Sequence, residues 1–201
     1  IYVNTVYNDI DHYSGLTLIL ATFFFTFQIY CDFSGYSDIA IGIARIMGFD
    51  LMENFRRPYL ATSMGDFWRR WHISLSTWFR DYLYIPLGGN RHGLTRKMVN
   101  MFIIFAVSGL WHGANWTFVI WGIYHGVIVA TETFFRAKRI KFLPDTILSY
   151  VIKLLYAFVL AYIGWIFFRA NSIQDAHYVL TNILNFSGGF ADLTEPFNDG
   201  L

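Results

Sequence analysis

Apolar residues fall into runs separated by short polar stretches, and several runs are long enough to be membrane segments. Leu16 to Tyr30 reads LTLILATFFFTFQIY and carries no charge. As a helix it rises about 22 Å, short of a roughly 30 Å hydrocarbon core unless its flanks contribute. A first apolar segment is therefore predicted over about 16–31. A second, about 36–49, falls within DFSGYSDIAIGIARIMGFD, where Asp32, Asp38 and Arg45 alternate with Gly35, Gly42 and Gly48. A segment so polar should pack inside a bundle or line a cavity. Met98 to Phe135 holds a single charge, Glu132, and is long for one span and just enough for two short ones. The break falls at SGLWHGAN, residues 108–115, which predicts segments over 98–110 and 116–135. Thr146 to Phe168 gives the last span, with Lys153 near enough to an end to snorkel. Residues 170–201 turn polar and read as a loop or tail.

The stretch from Ser63 to Tyr84 has a different period. Trp68, Trp71, Leu75, Trp78 and Tyr82 recur at spacings of 3 and 4, one stripe at about 100° per residue. Arg69, Ser76 and Arg80 fall on the other side, and Ser63 with Asp66 fits an N-terminal capping box. This predicts an amphipathic helix over about 63–84, lying at the membrane interface and ending before the turn PLGGN (86–90). The predicted fold is all-α: a polytopic transmembrane helical bundle with an interfacial helix and short or re-entrant helices, forming a single partial membrane domain over 1–201.

Composition agrees with this pattern. Of the 201 residues 55% are apolar, 20% aromatic and 14% charged, with mean hydropathy +0.39. A soluble domain carries about a quarter charged residues. Disordered, collagen-like and small disulfide-rich classes are excluded. The net charge of +1 gives no reason to expect nucleic acid. The distribution of charge says more: eight of the 15 basic residues lie between Arg56 and Lys97, and Arg136, Lys138, Arg139 and Lys141 form a second cluster. Positive loops lie inside, so both clusters are expected to be cytoplasmic, with an even number of crossings or a re-entrant hairpin between them. Cys31 lies beside an apolar run and reads as a small buried thiol. The chain starts at Ile1 without a basic n-region and cleavage site, and reads as a piece of a longer membrane protein.

His112 is the first candidate for chemistry, since an ionisable side chain at membrane depth is expensive to keep. Gly109 and Gly113 flank it and leave backbone room for a ligand, while Ser108 and Asn115 could hydrogen-bond the ring or a substrate. A neutral imidazole suits the deprotonation of a hydroxyl at neutral pH. A structural histidine satisfied by a carbonyl explains the residue equally well. His72, at the edge of the tryptophan stripe, reads first as an ordinary interfacial histidine. His125 is not at a metal-ligand spacing from His112, and HExxH and CxxC are absent, so no metal site is expected. His12, His92 and His177 read as surface residues. The sequence lacks GxSxG, GxxxxGK[ST] and GxGxxG. The arginine pairs at 56–57 and 69–70 read as positive-inside anchors or as a site for lipid phosphates or an acidic partner.

Three long motifs go beyond generic membrane features: DFSGYSDIAIGIARIMGFDLMENFRRPY, FWRRWHISLSTWFRDYLYIPLGGNR and SGLWHGANWTFVIWGIYHG. In this order they resemble the membrane-bound O-acyltransferase family, closest to its bacterial alginate O-acetyltransferase branch, and GWIFFRANSIQDA extends the likeness. The resemblance covers about residues 20–186. It implies a polytopic membrane enzyme, in a bacterial inner membrane, that moves an acyl group from a thioester to a hydroxyl. The family histidines fall on His112, in Trp111-His112-Gly113, and His72, in Arg70-Trp71-His72. The resemblance makes these the catalytic candidates, with Trp111, Asn115 and Trp71 as substrate-binding candidates. His112 would activate the acceptor, and His72 would orient the donor thioester or assist charge stabilisation. The implied donor is cytoplasmic acetyl-CoA, with no tightly bound cofactor, and the implied partners are the bilayer and an extracytoplasmic acetyltransferase. D-alanyl transfer from a carrier protein is the close alternative. Asp32, Asp38 and His112 in broken spans also suit a transporter, and a structural scaffold would tolerate loss of both histidines. Family members carry more N-terminal spans than this chain does.

Overall fold

The structure, a computed structural model, describes residues 1–140, 142–144, 146–186 and 193–198. Lys141 of the second basic cluster and residues 187–192 and 199–201 of the polar tail lie outside the described residues. Every regular element among them is helical. A short α1 (Tyr2–Asn8) and a 3₁₀ turn (Ile10–His12) lead into α2 (Gly15–Ile46). The two segments predicted over 16–31 and 36–49 are one helix, which at 32 residues extends about 48 Å. The 32–34 stretch has no proline, and local polarity alone does not stop a helix whose backbone bonds are internal.

The second half of α2 is not buried within this chain, contrary to the expectation for 32–50. Asp32, Asp38 and Arg45 are exposed, as are Tyr36, Ile39 and Ile43. Ser37 and Ala44 are buried, and Phe33 is partly buried against Phe55 and His72. Cys31 is also exposed and not a buried thiol. It lies on the outward face of α2.

The predicted interfacial helix over 63–84 is broken. It comprises α3 (Met64–Phe67), a turn, α4 (Ile73–Phe79) and a π-helical turn over Arg80–Tyr84. Ser63 does cap α3, accepting from the Asp66 N–H at 3.1 Å. The break comes from competing hydrogen bonds. The Ile73 N–H donates to the Asn54 carbonyl at 3.0 Å, and the Arg70 carbonyl accepts from the Arg56 N–H at 2.9 Å. The stripe is split in consequence: Trp71 is buried, whereas Trp78 and Tyr82 pack on each other at an exposed surface.

A turn with left-handed Gly88 and Gly89 follows. The fully buried Asn100 pins it, donating to the Leu87 and Gly89 carbonyls, each at 3.2 Å. Then α5 (Gly93–His112) and α6 (Trp116–Ala137) form a tight antiparallel hairpin. Glycine makes it tight: a Cβ on Gly122 would collide with the Phe105 carbonyl, and one on Gly109 with that of Phe118. Close backbone approach through small residues is how helices associate in a membrane. The hairpin returns Arg136, Lys138 and Arg139 to the end that carries Arg91, Arg96 and Lys97, and puts His112 at the opposite end.

After α7 (Ile147–Arg169), residues 173–182 form α8 (Ile173–Asn182) where a loop or tail was predicted. The signal for it was Ser172-x-x-Asp175: the Ser172 hydroxyl accepts from the Asp175 N–H at 3.1 Å. Ala176 and Val179 bury its apolar side against Val6, Tyr7, Ile10 and Leu18. A short α9 (Glu195–Asn198) comes last. A second core joins Phe67 and Trp71 to Trp121, Ala161 and Trp165 of α6 and α7. Tyrosine hydroxyls tie other elements to carbonyls of α2, Tyr59 to Thr26 at 2.6 Å and Tyr162 to Ile19 at 2.8 Å. Among the described residues four helices, α2, α5, α6 and α7, are long and apolar enough to cross a membrane.

Candidate active site

The break between α3 and α4 and the end of α5 meet at one cavity of about 280 Å³. His72 and His112 both line it, with Trp71, Ser108 and Phe105. It continues past Met101 of α5 and Val129 and Thr133 of α6 to Arg69, Arg80 and Arg136. From His112 back to Met101 the lining follows α5 for about 16 Å. The cavity therefore joins the histidines to the basic end of the hairpin. Arg69 pairs with Asp66 at 3.3 Å and Arg80 with Asp81 at 2.8 Å, while Arg136 has no carboxylate within ion-pair distance among the described residues. Arg70 also holds Asp66, at 3.0 Å. Burial works to raise the Asp66 carboxyl, and the hydrogen bond and charge of Arg70 outweigh it and hold the group below its usual range.

Rings hold His112. Its imidazole lies 5.1 Å, centre to centre, from each of Trp111, Trp121 and Phe168, all nearly edge-on. Trp121 is 1% exposed and anchors this box in the core. No hydrogen bond to either His112 ring nitrogen is made by the described residues. The room expected beside Gly109 and Gly113 is already taken: Phe118 of α6 packs its carbonyl against one and its ring against the other.

Polar groups hold His72. Its backbone is left-handed, φ 47° and ψ 54°, a conformation costing a non-glycine residue about 1–2 kcal/mol. The Ile73 N–H bond to the Asn54 carbonyl holds that turn. Its Nδ1 lies 3.3 Å from Asn54 Oδ1 and 3.4 Å from Ser74 Oγ. Asn54 Oδ1 also accepts from the Ser74 N–H at 3.2 Å and the Ser74 hydroxyl at 3.0 Å, while its Nδ2 donates to Ser37 of α2 at 3.0 Å. The Phe33 ring packs nearly perpendicular to the imidazole, 4.7 Å centre to centre. Burial, and then the proximity of His112, push the His72 imidazole down to about 4.

The other candidates are placed differently. Trp111 is 59% exposed and lies 6.4 Å from the His72 ring, next to both histidines but outside the arginine-lined cavity. Trp71 is a buried core residue with one side on the cavity. Asn115 caps α6, accepting from the Thr117 N–H at 3.2 Å, and donates to the Asn171 carbonyl at 2.9 Å, so both ends of its amide serve the fold. His125 is enclosed by Trp68, Trp121 and Tyr124, and a Cβ on Gly164 would collide with its Nε2. His12, His92 and His177 are exposed.

Sequence reasoning passed over Asn54, Trp121, Phe168 and Glu132. Glu132 accepts from the Met64 and Gly65 N–H groups at 2.8 and 2.9 Å and from the Tyr156 hydroxyl at 3.3 Å, fastening α3 to α6 and α7. Its solitary charge in an apolar run was the signal for it. Asn54 lies in a stretch without periodicity and gave none.

The four helices long and apolar enough to cross a membrane, with two histidines and three arginines on one cavity, define a helical membrane protein with a polar internal site. The family model for MBOAT, the membrane-bound O-acyltransferase family, matches residues 3–172, and the chain belongs to that family. It is 49% identical to the probable alginate O-acetylase AlgI of Azotobacter vinelandii over 81% of this chain and 32% of that protein. To the peptidoglycan O-acetyltransferase of Helicobacter pylori it is 41% identical, over 82% of this chain and 31% of the relative. To the teichoic acid D-alanyltransferase of Bacillus subtilis it is 30% identical, over 84% and 45%. The chain thus spans about a third of the length of the first two relatives and under half of the third.

Proposed function

We propose that the protein is an O-acetyltransferase of a bacterial inner membrane, moving acetyl from acetyl-CoA to a hydroxyl on the route to a cell-envelope polysaccharide. The observation that carries this reading is a cavity lined by both His72 and His112 and by Arg69, Arg80 and Arg136. A thioester donor with a phosphorylated, anionic body enters from the basic end. Its phosphates stay with the arginines, and its acyl end reaches the histidines. The apolar walls keep water from the thioester.

His112 takes the proton from the acceptor hydroxyl as its oxygen bonds to the thioester carbonyl carbon. The C–S bond then breaks, the acetyl ester leaves on the acceptor, and the proton passes from His112 to the departing thiolate. Exposed Trp111 flanks the side from which the acceptor comes, and an extracytoplasmic acetyltransferase is the proposed recipient that passes the acetyl on to polymer. The D-alanyltransferase relative supports a second reading, with an acyl group held on a carrier protein as donor.

The test is acetyl transfer from radiolabelled acetyl-CoA in membranes holding the native protein and its partner, beside a His112→Ala variant. Label in extracytoplasmic polymer or partner, lost in the variant, is the expected result. Undiminished transfer by His112→Ala overturns the role of His112. A folded wild type that takes no label from acetyl-CoA overturns the choice of donor in favour of the carrier-bound acyl group.

A further inference from the structure

The hydrogen bonds around His72 fix where its proton sits. The Ser74 backbone N–H can only donate, so the Asn54 side-chain atom facing it at 3.2 Å is the oxygen. An amide oxygen can only accept, and the same Oδ1 faces His72 Nδ1 at 3.3 Å. The other neighbour of Nδ1 agrees. The Ser74 hydroxyl lies closer to Asn54 Oδ1, at 3.0 Å, than to Nδ1, at 3.4 Å; donating along the shorter contact, it is an acceptor toward Nδ1. Two acceptors on one ring nitrogen require that nitrogen to carry the hydrogen. The amide is itself held from α2, where Ser37 Oγ accepts from Nδ2 at 3.0 Å. A histidine's free nitrogen is commonly set in this way by the bond its other nitrogen makes.

We propose that Asn54 is a positioning residue that locks His72 with its proton on Nδ1 and presents Nε2 to the cavity as a hydrogen-bond acceptor, so that His72 aligns an O–H or N–H of the substrate. Substrate alignment by His72 rests on the acyl-transfer reading above; the tautomer does not. Neutral His72 therefore cannot donate from Nε2 to a thioester carbonyl or to the oxyanion formed from it. Its counterpart is a hydroxyl of the acceptor or an amide N–H of the donor. The holding group is an amide, not a carboxylate, so it orients the ring without stabilising an imidazolium. His112 is the titratable group whose charge is felt at His72, and it too is unpaired by any carboxylate among the described residues.

Two measurements on the native membrane protein test this. The first reads the tautomer whatever the activity: ¹⁵N spectra of histidine-labelled protein, with the His72 signals assigned by their loss in His72→Gln. A protonated-type Nδ1 and an unprotonated-type Nε2 are expected in the wild type, with both averaged in Asn54→Ala. An unprotonated Nδ1 in the wild type overturns the proposal. The second is acyl transfer per folded molecule. Asn54→Ala is expected to lower kcat about 10- to 100-fold with donor KM little changed. Asn54→Asp keeps an accepting oxygen and adds charge, so it should restore much of kcat and move the acid limb of the pH profile upward. Unchanged kcat in Asn54→Ala, or an unmoved acid limb in Asn54→Asp, overturns the proposal. A wild type with a locked tautomer but no acyl transfer overturns the proposed function instead and leaves the lock standing.

Discussion

His72 and His112 line one cavity but are held by opposite means. His112 ends a long apolar helix and is boxed by Trp111, Trp121 and Phe168, with no hydrogen bond from the described residues fixing its tautomer. His72 lies in a left-handed turn between two short helices, and its Nδ1 is committed to Asn54 and Ser74. Rings restrict where an imidazole lies and leave its protons free. Hydrogen bonds restrict its protons as well. Under the proposed acyl transfer, His112 takes up and returns its proton in the first environment, and His72 aligns a substrate group in the second. The pair teaches that two imidazoles on one cavity can be held in different ways, which the proposed function reads as different roles.

The sharpest way to break this contrast is to remove each ring in turn. His112→Ala should lower acyl transfer about 10²–10⁴-fold, the range for a lost general base, while His72→Gln should lower it less. Equal losses in a membrane transfer assay would erase the distinction between proton carrier and aligning group. The holding groups come next. Glu132→Ala frees the Met64 and Gly65 N–H groups and should cost about 1.5–3 kcal/mol in a denaturation series, because bonds to a charged acceptor are lost. It should loosen the turn that carries His72 and leave the His112 box intact, which tryptophan fluorescence of Trp121 would report. A smaller effect should come from Arg136→Ala, which removes a cation that has no carboxylate partner among the described residues at the far end of the cavity: donor KM should rise several-fold with kcat held, measured with acetyl-CoA as the varied substrate.

The smallest effect should be on pH dependence. His72, held near 4 by burial and by His112, is neutral at pH 5 and at pH 7. Its pKa in the unfolded chain is about 6.5. Between these values the unfolded state binds the proton more readily, so the stability His72 contributes is intact above about 6.5 and lost as pH falls toward 4. A stability series from pH 7 to pH 4 should show a decline that is shallower in His72→Gln. An identical decline in the two proteins would mean that His72 is not kept neutral by its surroundings.

Much of this was legible along the chain. Runs of apolar residues required helices, since a backbone in lipid must bond to itself. The glycine-flanked break at residues 108–115 required two spans and put His112 at their junction. The basic clusters, for the same reason, had to return to one end of the hairpin. What the chain could not reveal lay in competition between distant groups. The tryptophan stripe over Trp68 to Tyr82 satisfies a helical period, yet Asn54 captures the Ile73 and Ser74 N–H groups and breaks the helix where His72 stands. Periodicity counts apolar positions, whereas a hydrogen bond from a residue about 20 positions away along the chain depends on where α2 brings Asn54. Sequence therefore determined that there would be helices and which imidazoles to suspect. Tertiary packing decided that the two would share a cavity and which nitrogen of His72 would be left open.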